Sequence, residues 1–127
     1  MTIEKIATDE APVALGPYSQ GIAVNNLVFC SGQIAVEPKS GQVVTGGIKA
    51  ETHQVMQNLK AVLKKAGSGF EHLIKVQIFL SDLEDFTAVN EIYASYLKEP
   101  YPARICMEAS KLPLGVAIEI DAIAMRP

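Results

Sequence analysis

No stretch of the 127 residues approaches the roughly 20 consecutive apolar positions that span a bilayer, so a helical membrane protein is excluded. Basic runs are missing too. None is longer than Lys64-Lys65, and the net charge is -3, whereas phosphate-backbone binding needs clustered Lys and Arg; nucleic acid is a poor partner on this composition. Cysteine is limited to Cys30 and Cys106, in separate apolar segments without CxxC spacing, so free thiols are expected rather than a disulfide. His53 and His72 stand apart from each other and from the cysteines, which leaves no ligand pair with the close spacing of a zinc site. The first residues, MTIEKIATDEAP, carry acidic groups and no long apolar segment, so no secretory signal is expected and a cytosolic location is the expectation. There is no low-complexity linker and no internal repeat, so residues 1–127 are expected to share one core as a single domain.

Hydrophobic residues make up 49% of the chain and charged residues 20%, which suits a cooperative globular fold. Ile3 to Ala7 reads as a short strand. Gly21 to Val24 and Leu27 to Ser31 flank Asn25-Asn26, two residues that tolerate the left-handed conformation of a tight hairpin turn. Residues 35–47, rich in Gly, Pro and Ser, read as an irregular connection with a short extended piece at Gln42 to Val44. Ile48, Thr52, Val55, Met56, Leu59, Val62, Leu63 and Ala66 recur at three- and four-residue steps and predict a helix, closed by Gly67 at the position of a left-handed cap. Leu73 to Leu80 alternates as a strand, with Val76, Ile78 and Leu80 on one face. Ser81-Asp82 offers an N-cap for a second helix with the stripe Phe86, Val89, Asn90, Tyr93 and Leu97, ending before Pro100 and Pro102. Two strands close the chain, about Ala103 to Ala109 and Val116 to Met125, joined by the Lys111 to Gly115 turn. This order predicts an α+β sandwich, a mixed sheet with both helices on one face. Too many apolar residues alternate outward for water to cover the other face, which points to a subunit interface.

Two charges stand out in the closing strands. Alternation puts Arg104, Cys106 and Glu108 on one face of the first strand, and Glu119 with Asp121 on one face of the second; were the two strands to pair, Arg104 and Glu119 could share a face. They are then either partners in a structural ion pair, or a guanidinium set to grip a ligand carboxylate beside a carboxyl free for proton transfer. Cys106 could be a nucleophile if Arg104 lowered its pKa, but with no histidine partner a role through its backbone is the better reading. GPYSQG sets Tyr18 and Ser19 on a Gly-Pro turn, and FCSGQI ends a strand at Ser31-Gly32, where glycine lets a backbone N–H approach a ligand. The Tyr18 turn is equally readable as plain structure, whereas Ser31-Gly32 reads first as a strand terminus and Asn90 first as a buried, satisfied amide.

Taken together, GPYSQ, SGQI, QNLKAVLKKAG, VNEIY and PARICMEASKLPLGVAIEI resemble the Rid family, also called YjgF, and most closely its RidA branch; the likeness spans essentially the whole chain. The resemblance implies a chorismate-mutase-like α+β fold with ferredoxin-like ordering, assembled as a homotrimer with ligand clefts between subunits. It implies hydrolysis of 2-imino acids such as 2-iminobutanoate and 2-iminopropanoate to 2-keto acids and ammonia, without metal or other cofactor. In that pattern Arg104 clamps the substrate carboxylate with backbone groups of Gly32 and Cys106, Glu119 holds the attacking water, and Tyr18, Ser31 and Asn90 line the cleft. Ile105 departs from the small residue usual there, and Gly21 from the usual alanine. Two other readings of the same residues are a non-catalytic binder of small carboxylates and, disfavoured by the acidic composition, a ribonuclease or translation inhibitor.

Overall fold

A computed structural model describes residues 2–127 of the chain. The hairpin at Asn25-Asn26 forms between β2 (Gly21–Val24) and β3 (Leu27–Ile34): Val24 lies opposite Leu27 and Asn25 takes a left-handed φ of 53°. β1 (Ile3–Ile6) adds to the free side of β2. In the irregular connection, β4 (Val36–Glu37) and β5 (Gln42–Val43) make a small separate ribbon.

Helix α1 (Gly47–Lys65) buries Thr52, Val55, Met56, Leu59, Val62 and Leu63, as the spacing predicts, and Gly67 follows it with φ 84°. Asn58 is buried on the same helix. Its Nδ2 donates to the carbonyls of Ile34 and Val36, each at 3.0 Å, which ties the end of β3 to α1.

β6 (Leu73–Leu80) is followed by α2 (Phe86–Ser95). The Asp82 carboxylate accepts from the Glu84 N–H at 2.9 Å, so it caps the single 3-10 turn Leu83–Asp85 ahead of α2 rather than α2 itself. The helix stops before Leu97, which still packs against the core. β7 (Ala103–Glu108) and β8 (Ile118–Met125) complete a six-stranded sheet in the order β1-β2-β3-β8-β6-β7. Only β6 and β7 run parallel. The mixed sheet with two helices is the α+β architecture expected.

The condition under which Arg104 and Glu119 could share a face is not met. β7 and β8 follow one another in sequence but are not neighbours, because β6 lies between them. Arg104 is in register with Val76, and Val76 with Ala122, while Glu119 is in register with Phe79, and Phe79 with Met107. Val76 and Phe79 are three residues apart on β6 and point to opposite faces. Arg104 therefore lies on the helix face and Glu119 on the open face, so no ion pair joins them within one protomer. Nor is β7 a buried strand in the protomer, since Arg104 and most of its neighbours on that strand are exposed.

The helix face holds the core: Val28, Val76, Ile78, Leu80, Ile118, Ile120 and Ala124 pack with Val55, Met56, Leu63 and Val89. The open face keeps an apolar strip in which Leu27, Phe29, Ile105, Met107 and Met125 are exposed.

Candidate active site

The Arg104 side chain is oriented before any ligand arrives. Its Nη1 donates to Asn90 Oδ1 at 2.7 Å, and its guanidinium lies 5.5 Å from the ring centre of Phe86 and 5.3 Å from that of Tyr93. Phe86, Asn90 and Tyr93 are spaced by four and three residues, which puts all three on one face of α2. A cavity of about 320 Å³ opens here, lined by Asn90, Tyr93, Ala94, Tyr101, Pro102 and Arg104. In the sequence Phe86 and Tyr93 are visible only as members of an apolar stripe, and their spacing about Asn90 is the signal that sets them on its face.

Cys106 points the same way as Arg104. Burial pushes its thiol up, and the Arg104 charge only partly opposes this, so the thiolate needed by a nucleophile is disfavoured. Its backbone is better placed. The Ala109 N–H donates to the Leu80 carbonyl at 2.8 Å, and backbone polar groups alternate in direction along a strand. Arg104 and Cys106 thus direct theirs away from β6, and among the described residues no strand pairs with that edge.

A second group of candidate residues lies on β3 and β8. Cys30 faces Ala122 and Gln33 faces Ile120, so Ser31 and Gly32 together oppose one residue, Asp121, and form a bulge. The Ser31 N–H donates to the Gln20 carbonyl at 2.9 Å and its hydroxyl to the Ser19 carbonyl at 2.5 Å, which docks the GPYSQ turn on the bulge. The turn is itself held by Gln20, whose buried amide donates to the Pro12 carbonyl at 2.7 Å and accepts from the Thr8 N–H at 2.7 Å. Tyr18, Ser31, Gly32, Ile34, Pro113 and Glu119 line a cavity of about 380 Å³. At Gly32 a Cβ would overlap the Glu119 carboxylate, so glycine is what allows that carboxylate to lie against the bulge.

Glu119 holds its proton more tightly than an ordinary carboxyl, first because it is partly buried and then because Asp121 lies nearby. Asp121 is raised by burial as well, with Lys75 opposing. Gln77 is its register partner on β6 and, with the amide assigned so that nitrogen faces the carboxylate, donates to it at 3.0 and 3.2 Å.

The candidate residues thus fall into two groups: Arg104, Asn90 and Cys106 around one cavity, Tyr18, Ser31, Gly32 and Glu119 around the other. Among the described residues, no group of three or more His, Cys, Asp and Glu side chains is arranged to hold a metal ion, and no helix is long and apolar enough to cross a membrane.

The chain is thus an α+β protein with a guanidinium at the sheet edge and a carboxyl against a strand bulge, and comparison with known proteins gives its family. Residues 8–126 match the family model described as Endoribonuclease L-PSP, and the chain belongs to that family, the YjgF/Rid family. It is 48% identical over 123 residues to a RutC family protein of Pyrococcus horikoshii, covering 97% of this chain and 98% of the relative. It is 44% identical over 121 residues to the human 2-iminobutanoate/2-iminopropanoate deaminase, covering 95% of this chain and 88% of that protein. The crystal structure of RidA from an Antarctic Psychrobacter superposes with a TM-score of 0.93 at 39% identity, covering 96% of this chain and 98% of the other.

Proposed function

We propose that the chain is a hydrolytic deaminase of small 2-imino acids, 2-iminobutanoate and 2-iminopropanoate among them, acting in clefts of a homotrimer. The observation that carries the reading is the complementarity of the two half-sites. One presents a fixed guanidinium and a free strand edge, suited to a carboxylate. The other presents a carboxyl of raised proton affinity beside a glycine bulge, suited to a water and its protons. Because they lie on opposite faces of the sheet, one ligand meets both only where the Arg104 half of one protomer faces the Glu119 half of its neighbour. The exposed apolar strip on the open face supplies the surface such an assembly buries.

In this reading Arg104 binds the substrate carboxylate bidentately, helped by backbone groups of Cys106 and Gly32, and Tyr18, Ser31 and Asn90 shape the cleft. Glu119 accepts a proton from water as the water oxygen bonds to C2 and the C=N π pair moves to nitrogen. Glu119 returns that proton to nitrogen, giving the carbinolamine. It then passes the hydroxyl proton to the amine as the C–N bond breaks and the C=O bond forms. The sum is imine plus water to 2-keto acid plus ammonia, with Glu119 restored. Fixing the carboxylate and aiming the water supply most of the acceleration, since the imine is already reactive.

The family description names an endoribonuclease, but a net charge of -3 and a guanidinium already engaged with Asn90 and two aromatic rings favour a small carboxylate over a phosphate chain. The test generates each imine in place with an amino-acid oxidase and traps what remains with semicarbazide. Native protein diverts imine to keto acid, and Arg104→Ala loses roughly a hundredfold or more in kcat/KM. Glu119→Gln loses on the order of 10²–10⁴. A folded native assembly that diverts no more than buffer overturns the reading, and saturable keto-acid binding without turnover would make the protein a metabolite binder instead.

A further inference from the structure

Two polar side chains of α1 hold the two strands that meet at Glu119. β3 and β8 stay paired as far as Ile34 opposite Glu119; beyond that point, among the described residues, only β6 lies beside the start of β8, with Leu80 opposite Ile118. Asn58 fixes the β3 side through the carbonyls of Ile34 and Val36, and its own Oδ1 accepts from the Gln54 amide at 2.9 Å. Glu51 fixes the β8 side. Its Oε1 accepts from the Ala117 N–H at 2.9 Å, across 66 residues of chain. Glu51 and Asn58 are about two helical turns apart, so both reach from one side of α1.

Ala117 is the half-buried residue at which the chain bends from the Pro113–Gly115 turn into β8. Its carbonyl accepts from the Ser81 N–H at 3.0 Å while its N–H turns the other way to α1, so the Glu51 carboxylate takes the place of a strand partner. Without it a half-buried donor is left unpaired. The bend lies two residues before Glu119, whose carboxylate sits in the space a Cβ at Gly32 would fill and so has little room to shift. Pro113, at the far end of the same segment, is a wall of that cavity. A small rotation of the strand entry therefore moves the Glu119 carboxyl off the bulge. The Arg104 side, held by Asn90, Phe86 and Tyr93 of α2, keeps its geometry.

We propose that Glu51 is a positioning residue for Glu119, acting through the Ala117 backbone as a hydrogen-bond acceptor and touching neither ligand nor water in the cleft. Its kinetic consequence rests on the deaminase reading; the placement of Glu119 rests on the hydrogen bonds alone. Glu51→Gln and Glu51→Met separate the acceptor from everything else about the side chain. Both match glutamate in length and both remove the same charge, but only glutamine keeps an oxygen for the Ala117 N–H.

The experiment measures kcat and KM for 2-iminopropanoate in the native protein and both variants. Glu51→Gln is expected to keep kcat within about threefold of native, and Glu51→Met to lower it roughly ten- to a hundredfold. KM is expected to stay within about twofold throughout, because the carboxylate grip is intact. A loss of stability alone would lower Tm and leave the kcat of the folded protein unchanged. A second readout needs no turnover: the Glu119 carboxyl is titrated by carboxyl-carbon NMR. The titratable groups facing it are Asp121 on its own strand and Tyr18 across the cavity, while β3 presents Ser31 and Gly32 and β6 presents Phe79, so neither variant alters a charge there. The midpoint is expected to hold in Glu51→Gln and to fall toward the ordinary carboxylate range in Glu51→Met, as the carboxyl leaves its half-buried place. Should Glu51→Met not fold, Glu51→Asp, charged but too short to reach Ala117, carries the same expectations. Equal kcat in the two variants, a loss confined to KM, or one Glu119 titration shared by both overturns the inference. If the native protein turns over no imine, the deaminase reading fails by itself, and the titration still decides whether Glu51 places Glu119.

Discussion

At the scale of single residues, Gly32 and Asp121 act on the same carboxyl in different ways. Gly32 has an ordinary backbone conformation; it matters because the Glu119 carboxylate occupies the space a methyl would fill. Since the colliding atoms are the mobile end of a side chain, Gly32→Ala should fold with nearly native Tm yet displace the carboxylate. The expected loss in imine kcat/KM is roughly ten- to a hundredfold, measured beside a thermal melt. Asp121 raises the proton affinity of Glu119, but burial is the larger cause. Asp121→Asn should therefore move the acid limb of the kcat/KM profile downward while leaving it above the usual carboxylate range. The same shift has a signed effect on stability. A folded state that holds its proton more tightly than the unfolded chain gains stability below the ordinary carboxylate pKa and loses it as pH rises through the folded value. Glu119→Gln should remove that loss, so its Tm exceeds the native Tm at pH 8 and the difference narrows toward pH 4.

At the scale of elements, the helix α2 turns an apolar stripe into a mount for a charge. Phe86 and Tyr93 lie against the Arg104 guanidinium while Asn90 accepts its hydrogen bond, so ring faces rather than hydroxyls do the holding. The Tyr93 hydroxyl is buried and has no hydrogen-bond partner among the described residues. Removing it deletes an unpaired donor and keeps the ring. Tyr93→Phe should thus stabilise the protein by about 1 kcal/mol in urea denaturation with keto-acid affinity unchanged, whereas Tyr93→Leu should weaken that affinity. Elements whose signal is local were legible in the sequence. The Asn25-Asn26 hairpin, α1 and β6 each follow from turn chemistry or periodicity within a short window, and each forms where expected. What escaped was pairing between distant segments. The insertion of β6 between β7 and β8 leaves no trace in either strand's alternation, so Arg104 and Glu119 read as potential face-mates until the topology separated them. Asn58 escaped for a similar reason: its partners are the carbonyls of Ile34 and Val36, over twenty residues away.

At the scale of the whole molecule, the proposed function makes each chain half of two sites rather than one complete site. The apolar strip through Phe29, Ile105, Met107 and Met125 is the surface on which copies would meet, and Ile105 and Met107 belong to the strand that carries Arg104. Burying that strip would fix the strand edge and the arginine together, so Met107→Asp should yield smaller particles in sedimentation and lose turnover although every site residue is intact. A sharper experiment uses the opposite placement of the two charges. Arg104→Ala spoils only the carboxylate half, and Glu119→Gln only the proton half. If each cleft takes Arg104 from one protomer and Glu119 from its neighbour, unfolding the two inactive variants together in equal amounts and refolding them produces clefts in which both halves are native. Random assembly gives each cleft a one-half chance of a native arginine side and an independent one-half chance of a native glutamate side, so about a quarter of native activity should return. A cleft built within one protomer would recover none, because every protomer carries one lesion; an inactive mixture of intact trimers would therefore place the site inside the chain and dismiss the shared cleft.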